Sequence, residues 1–172
     1  MFNSALPSSA LSQSSAHDFV RTQWGQFIEQ CAAFVENPVA IRDGLTISQN
    51  TTEFNKSLDG KQVSYVDAVK ALHFEEFKRR IDGHCTVNKY EIPADSSELS
   101  NALIELLSAT PDISFSGGLF IDARTNQIQQ GFYSYIVDDM FPDRDAYVYI
   151  LIDDYSFSFE VFVDYPIEEG NG

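Results

Sequence analysis

Residues 146–164 read AYVYILIDDYSFSFEVFVD, and their period of two decides the fold. In an extended chain Ala146, Val148, Ile150 and Ile152 point to one side, while Tyr147, Tyr149, Leu151 and Asp153 point to the other. After a short connection at Asp154-Tyr155 the alternation resumes, with Phe157, Phe159, Val161 and Val163 set against Ser158, Glu160, Phe162 and Asp164. The first set of each strand is the expected core face. A slip of one residue would turn all of it to water, and each Phe, Ile and Val of it contributes about 1.5–3 kcal/mol when buried, so the pattern fixes the register. So short a connection also fixes the direction, because parallel neighbours need a crossover of a dozen or more residues.

Working back from this hairpin, 113–122 and 128–137 are rich in Phe, Tyr, Val and Ile and read as two further strands. Before them the period changes to that of a helix. Val20, Trp24, Phe27, Ile28, Cys31 and Val35 form one apolar stripe over 17–36, which Pro38 ends. Ile41, Leu45 and Ile47 suggest a short strand beside an Asp43-Gly44 turn. Ser64 with Asp67 resembles a capping box, and it predicts a second helix to about 81 with Val66, Val69, Leu72, His73, Phe77 and Ile81 inward. Lys70, Glu75, Lys78, Arg79 and Arg80 would lie on its outer face, with Gly83 as its stop. After an extended segment at 85–92, Asp95 and Glu98 open a third helix that buries Leu99, Ala102, Leu103, Leu106 and Leu107 before Pro111. The expected architecture is α+β, with N-terminal helices packed on one face of a C-terminal four-stranded antiparallel sheet. Residues 17–166 form its single domain, 1–16 a disordered Ser-rich tail, and 167–172 an acidic tail.

The chain has 172 residues, of which 44% are hydrophobic, enough for one sizeable core. Eleven Lys and Arg oppose 26 Asp and Glu, for a formal charge of -15. Acid is concentrated at the C-terminal end. From 138 onward Asp138, Asp139, Asp143, Asp145, Asp153, Asp154, Glu160, Asp164, Glu168 and Glu169 face only Arg144. Such a surface repels phosphate, which argues against direct nucleic-acid binding, and it attracts basic surfaces at low salt. Lys78-Arg79-Arg80 is too short a cluster to reverse that. No apolar run is long enough to span a bilayer, and no export signal is legible, so no membrane association is expected. Two cysteines, Cys31 and Cys85, are too few for a disulfide framework, and the expected compartment is a reducing cytoplasm with Cys31 as a small buried hydrophobe.

Chemical motifs are weak, and neither an enzyme nor a bound cofactor is expected. The aspartates of 138–145 could serve a metal-assisted hydrolase, but Pro142 interrupts the ligand register, and the central glycine and terminal glutamate of a calcium loop are absent. His73, Asp82, His84 and Cys85 lack zinc-ligand spacing, and a Cys85 nucleophile with a histidine base lacks an orienting third group. Gly117-Gly118 has no following Lys-Ser/Thr and reads as a bulge or a close backbone approach.

The mixed sheet face carries the functional expectation. Tyr133, Tyr135, Tyr147, Tyr149 and Phe162 beside Asp153, Glu160 and Asp164 would make an aromatic patch with an acidic rim. Tyrosine supplies rigid contact area, and carboxylates select a basic protein. The pattern therefore predicts a protein-binding domain that neutralises a basic partner, such as an immunity protein against a nuclease-type toxin. A mimic of nucleic acid that occupies a DNA-binding protein is the alternative, and a homodimer formed through the same rings is a third outcome.

Overall fold

The computed structural model describes residues 8–37, 51–57, 60–66, 70–77 and 80–166, with side chains at 15–37 and 83–163. In chain order the elements are α1 (Ser8–Glu36), β1 (Thr51–Ser57), β2 (Gly60–Val66), β3 (Lys70–Phe77), β4 (Arg80–Lys89), α2 (Ser96–Ala109), β5 (Ser114–Asp122), β6 (Gln127–Asp138), β7 (Ala146–Ile152) and β8 (Phe157–Pro166). The strands form one sheet in the order β1-β2-β3-β4-β8-β7-β6-β5, antiparallel throughout. It consists of two four-stranded meanders joined side by side along the β4–β8 ladder. Helix α1 packs on β4 and β8, and α2 packs on β5, β6, β7 and α1. The fold is α+β, with helices on one face of an antiparallel sheet whose C-terminal four strands follow the alternation of the sequence.

The core lies between the helices and that sheet face. Val20, Phe27, Cys31 and Val35 of the helical stripe are buried, and so are Val148, Ile150, Ile152, Phe157, Phe159, Val161 and Val163 of the two C-terminal strands. Phe27 stacks on Phe159 at 5.2 Å, with Trp24 edge-on to Phe159 at 5.5 Å. Helix α1 starts at Ser8, inside the stretch expected to be a loose tail, and Ala16 is already buried in the core. Ala and Leu are strong helix formers, and tertiary packing of the following turns carries the helix back through the serines. Helix α2 begins as its capping pattern predicts. The Asp95 carboxylate accepts from the Glu98 backbone N–H at 2.9 Å and from the Ser97 hydroxyl at 2.6 Å. These bonds, the Ser97 hydroxyl first, hold its pKa below the usual aspartate value.

Two expectations are corrected. The helix predicted over 64–81 is instead strands β2 and β3. Its apolar residues fit a helical spacing only loosely, and Val63, Tyr65 and Val66 favour extended chain. Pairing with β4, which itself pairs with β8, decides between the two. Gly83 therefore stops no helix. It lies in β4, where a Cβ would come 2.6 Å from Cζ of Phe34, so its missing side chain lets α1 approach the sheet. Second, Cys31 is not a free hydrophobe and Cys85 is not a free thiol, because the two form a disulfide between α1 and β4. The packing of α1 across β4 brings together residues 54 apart in sequence. The short strand expected at 41–47 and the acidic tail at 167–172 lie outside the described residues.

Candidate protein-binding face

The sheet face turned away from α1 and α2 is built by the residues that alternate with the core. Register places His84 of β4 opposite Phe162 of β8, and Phe162 opposite Tyr147 of β7. Their rings lie almost parallel, with His84 on Phe162 at 4.2 Å and Phe162 on Tyr147 at 5.4 Å. In the next row Thr86, Glu160, Tyr149 and Ile136 follow one another across β4, β8, β7 and β6. Tyr149 stands edge-on to Tyr147 at 5.5 Å and to Phe162 at 5.8 Å. Offset-stacked and edge-to-face pairs are the favoured aromatic arrangements, so the four rings hold one another in place. Toward the sheet edge Phe120 and Phe132 make a second edge-to-face pair at 4.7 Å.

Polar groups are fixed among these rings. His84 Nε2 lies 2.7 Å from the Thr86 hydroxyl and 3.4 Å from Glu160 Oε2, and the Ser158 hydroxyl donates to Glu160 Oε1 at 3.1 Å. The histidine hydrogen bond, ahead of the opposing effect of burial, lowers the Glu160 pKa below the usual glutamate value. Glu160 is therefore a fixed negative charge beside the rings at neutral pH. At one end of the cluster Glu75, Asp82 and Asp164 hold directly opposed register positions on β3, β4 and β8, one row beyond His84 and Phe162. Arg80 is two residues before Asp82 on β4.

Tyr147, Tyr149, Glu160 and Phe162 come together as expected, and Asp164 takes a position in the adjoining row. The other three expected residues do not join them. Tyr135 is buried on the helix side, hydrogen-bonded through its hydroxyl to Ser100, and burial raises its pKa. Tyr133 packs against the same core, because it alternates in phase with Tyr135 and Val137. Asp153 closes the β7–β8 turn. Its Oδ1 accepts from the backbone N–H groups of Tyr155 and Ser156, both at 2.7 Å, and its Oδ2 accepts from the Ser156 hydroxyl at 2.8 Å. Sequence reasoning missed His84 and Thr86 as members of the face. Their signal was the alternation of His84, Thr86 and Asn88 with Cys85 and Val87, which the expected helix before it obscured.

The remaining chemical candidates do not converge. In the 139–145 loop Asp139 accepts from the Ser114 hydroxyl at 3.2 Å, and Arg144 donates to the Glu36 carbonyl at 3.0 Å. Among the described residues no group of three or more His, Cys, Asp or Glu is close enough to hold a metal. His73 is at the register position opposite His84 on β3. Cavities of about 310 Å³, against His17, Glu98 and Glu105, and of about 220 Å³, against Glu36 and 140–144, both lie away from the aromatic face. No helix among the described residues is long and apolar enough to cross a membrane. Comparison with protein-family models, curated proteins and solved structures returns no match.

Proposed function

We propose that this protein binds a basic protein through the outer face of its sheet, with Tyr147, Tyr149 and Phe162 as the apolar contact and Glu160 with the neighbouring acidic row as the charge-selecting rim. The observation that supports this reading is the ring cluster of His84, Phe162, Tyr147 and Tyr149 on the side that neither helix covers. A pre-positioned aromatic cluster loses little side-chain freedom on binding, which favours affinity. The -15 charge of the chain adds speed and selectivity for a cationic surface. A nuclease is the class of partner whose own chemistry demands such a surface, so inhibition of a nuclease-type toxin is the specific form of the proposal. The Cys31–Cys85 bond favours an oxidising compartment over the reducing one expected from cysteine number.

Affinity capture from the native cells with the wild-type chain and with Tyr147→Ala/Tyr149→Ala, at rising salt, tests the reading. A basic protein held by the wild type, released as salt rises and lost from the folded double variant is the expected result. Identical capture by both chains, or capture that salt does not weaken, refutes it.

A further inference from the structure

The outer face of the sheet discriminates among cations as well as attracting them. His84, Phe162 and Tyr147 stand as a row of nearly parallel rings across β4, β8 and β7, at interplanar angles of 8° and 18°. Glu160 lies on one side of this row, two positions from Phe162 on β8 and directly opposite Tyr149 on β7. On the other side register places Glu75, Asp82 and Asp164, with Arg80 two positions farther along β4. The rings are therefore flanked by carboxylates on both sides, and aromatic ring faces are themselves negative.

The surroundings of Glu160 define its chemistry. Its Oε1 accepts from the Ser158 hydroxyl at 3.1 Å, and its Oε2 lies 3.4 Å from His84 Nε2. The histidine hydrogen bond holds its pKa below the usual glutamate value, so the carboxylate is ionised at neutral pH. An ionised carboxylate offers about four lone-pair positions, and these contacts leave acceptor capacity on both oxygens. The Glu160 side chain is 20% exposed, that of His84 is 28% exposed, and Tyr147 is 44% exposed. A side chain arriving from outside can thus reach the carboxylate and the rings together.

A cation seated there must bond a carboxylate and lie against aromatic carbon at once. Lysine brings a compact, strongly hydrated point charge, which loses hydration against a ring. The guanidinium of arginine is planar and weakly hydrated, stacks on aromatic faces, and presents a fork of N–H donors that matches a carboxylate. We propose that this face selects arginine over lysine, with Glu160 accepting the guanidinium N–H groups and the Tyr147, Tyr149 and Phe162 rings packing against its plane. The preference rests on the reading of the outer face as the contact surface for a basic protein, and it names the side chain by which that partner is held. Glu160 is then a specificity-determining residue and not one more negative charge.

Calorimetric titration of the full chain at low ionic strength, with acetyl-tetraarginine amide and acetyl-tetralysine amide as probes, tests the preference. The two peptides carry equal charge, so the long-range attraction of the -15 chain cancels and the ratio of affinities reports local contact. The wild type should bind the arginine peptide about threefold to tenfold more tightly than the lysine peptide. Glu160→Gln should lower that ratio toward one with an unchanged circular dichroism spectrum. Tyr147→Leu/Tyr149→Leu, which keeps apolar area and removes two aromatic faces, should do the same and decides the matter if the first variant fails to fold. Glu29→Gln, which removes one charge from the exposed side of α1, should leave the ratio as it is in the wild type. Equal affinities in the wild type, a ratio that a folded Glu160 or tyrosine variant keeps, or a ratio lost in Glu29→Gln overturns the proposal. Equal affinities that both fall in the tyrosine variant overturn only the choice of arginine and leave the face as the contact surface. Affinities that no substitution on the face alters overturn both readings.

Discussion

Reduction of the Cys31–Cys85 bond should be the most costly single chemical change to this fold. The bond closes a loop with a sequence separation of 54 between a helix and the strand that joins the two halves of the sheet. In the chain-entropy description, a loop of that length removes about 14 cal/mol/K from the denatured ensemble, which is about 4 kcal/mol near room temperature. Both sulfur-bearing residues are fully buried, so reduction changes native packing little and acts mainly by releasing the unfolded chain. For a chain of this size each kcal/mol moves the melting temperature by roughly 2–4 °C, which gives a fall of roughly 8–16 °C. Urea unfolding followed by circular dichroism, with and without a phosphine reductant, measures the difference. A thiol count in denaturant should find no free thiol before reduction and both cysteines after it. Two reactive thiols in protein purified without reductant, or a midpoint that reductant leaves unmoved, would refute the reasoning, because the cross-link would then be absent or energetically idle.

Three further outcomes follow from single side chains. Tyr135→Phe strands the buried Ser100 hydroxyl and should cost about 1–3 kcal/mol in urea unfolding, whereas Tyr147→Ala, at a residue that is 44% exposed, should cost less than truncation of Tyr135 to alanine. Asp95→Ala removes the N-cap of α2 and should cost about 0.5–2 kcal/mol, read as a lower melting temperature without loss of binding at the aromatic face. Glu160 has a depressed folded-state pKa, so its contribution to stability is present above the ordinary glutamate pKa and is lost as pH falls through the depressed value. In Glu160→Gln the slope of urea midpoint against pH in that acid range should flatten, and an unchanged slope would show that the His84 hydrogen bond is not stabilising the carboxylate.

The C-terminal hairpin shows how much local pattern can carry. Val148, Ile150, Phe159 and Val161 alternate with Tyr147, Tyr149, Ser158, Glu160 and Phe162, and the structure buries the first set fully, with Ser158 the buried member of the other phase. The capping aspartate of α2 was equally legible, because its partners are three residues away at most. Strands β2 and β3 were not, because their apolar spacing suits either state and is decided by a meander that β4 anchors to the distant strand β8. The binding face divides along the same line. Tyr147, Tyr149 and Phe162 were readable from alternation within their own strands, whereas the inward turn of Tyr133 and Tyr135 depended on the phase of β6 against β5 and β7.

The sequence alone determined the excess of acid, the antiparallel C-terminal strands, the capped start of α2 and the apolar stripe of α1, because each follows from composition or from neighbours a few residues apart. Only the tertiary structure decided that Cys31 meets Cys85 and that His84 stacks on Phe162. Those facts depend on which strand lies beside which, and residues tens of positions apart leave no periodic trace of their meeting.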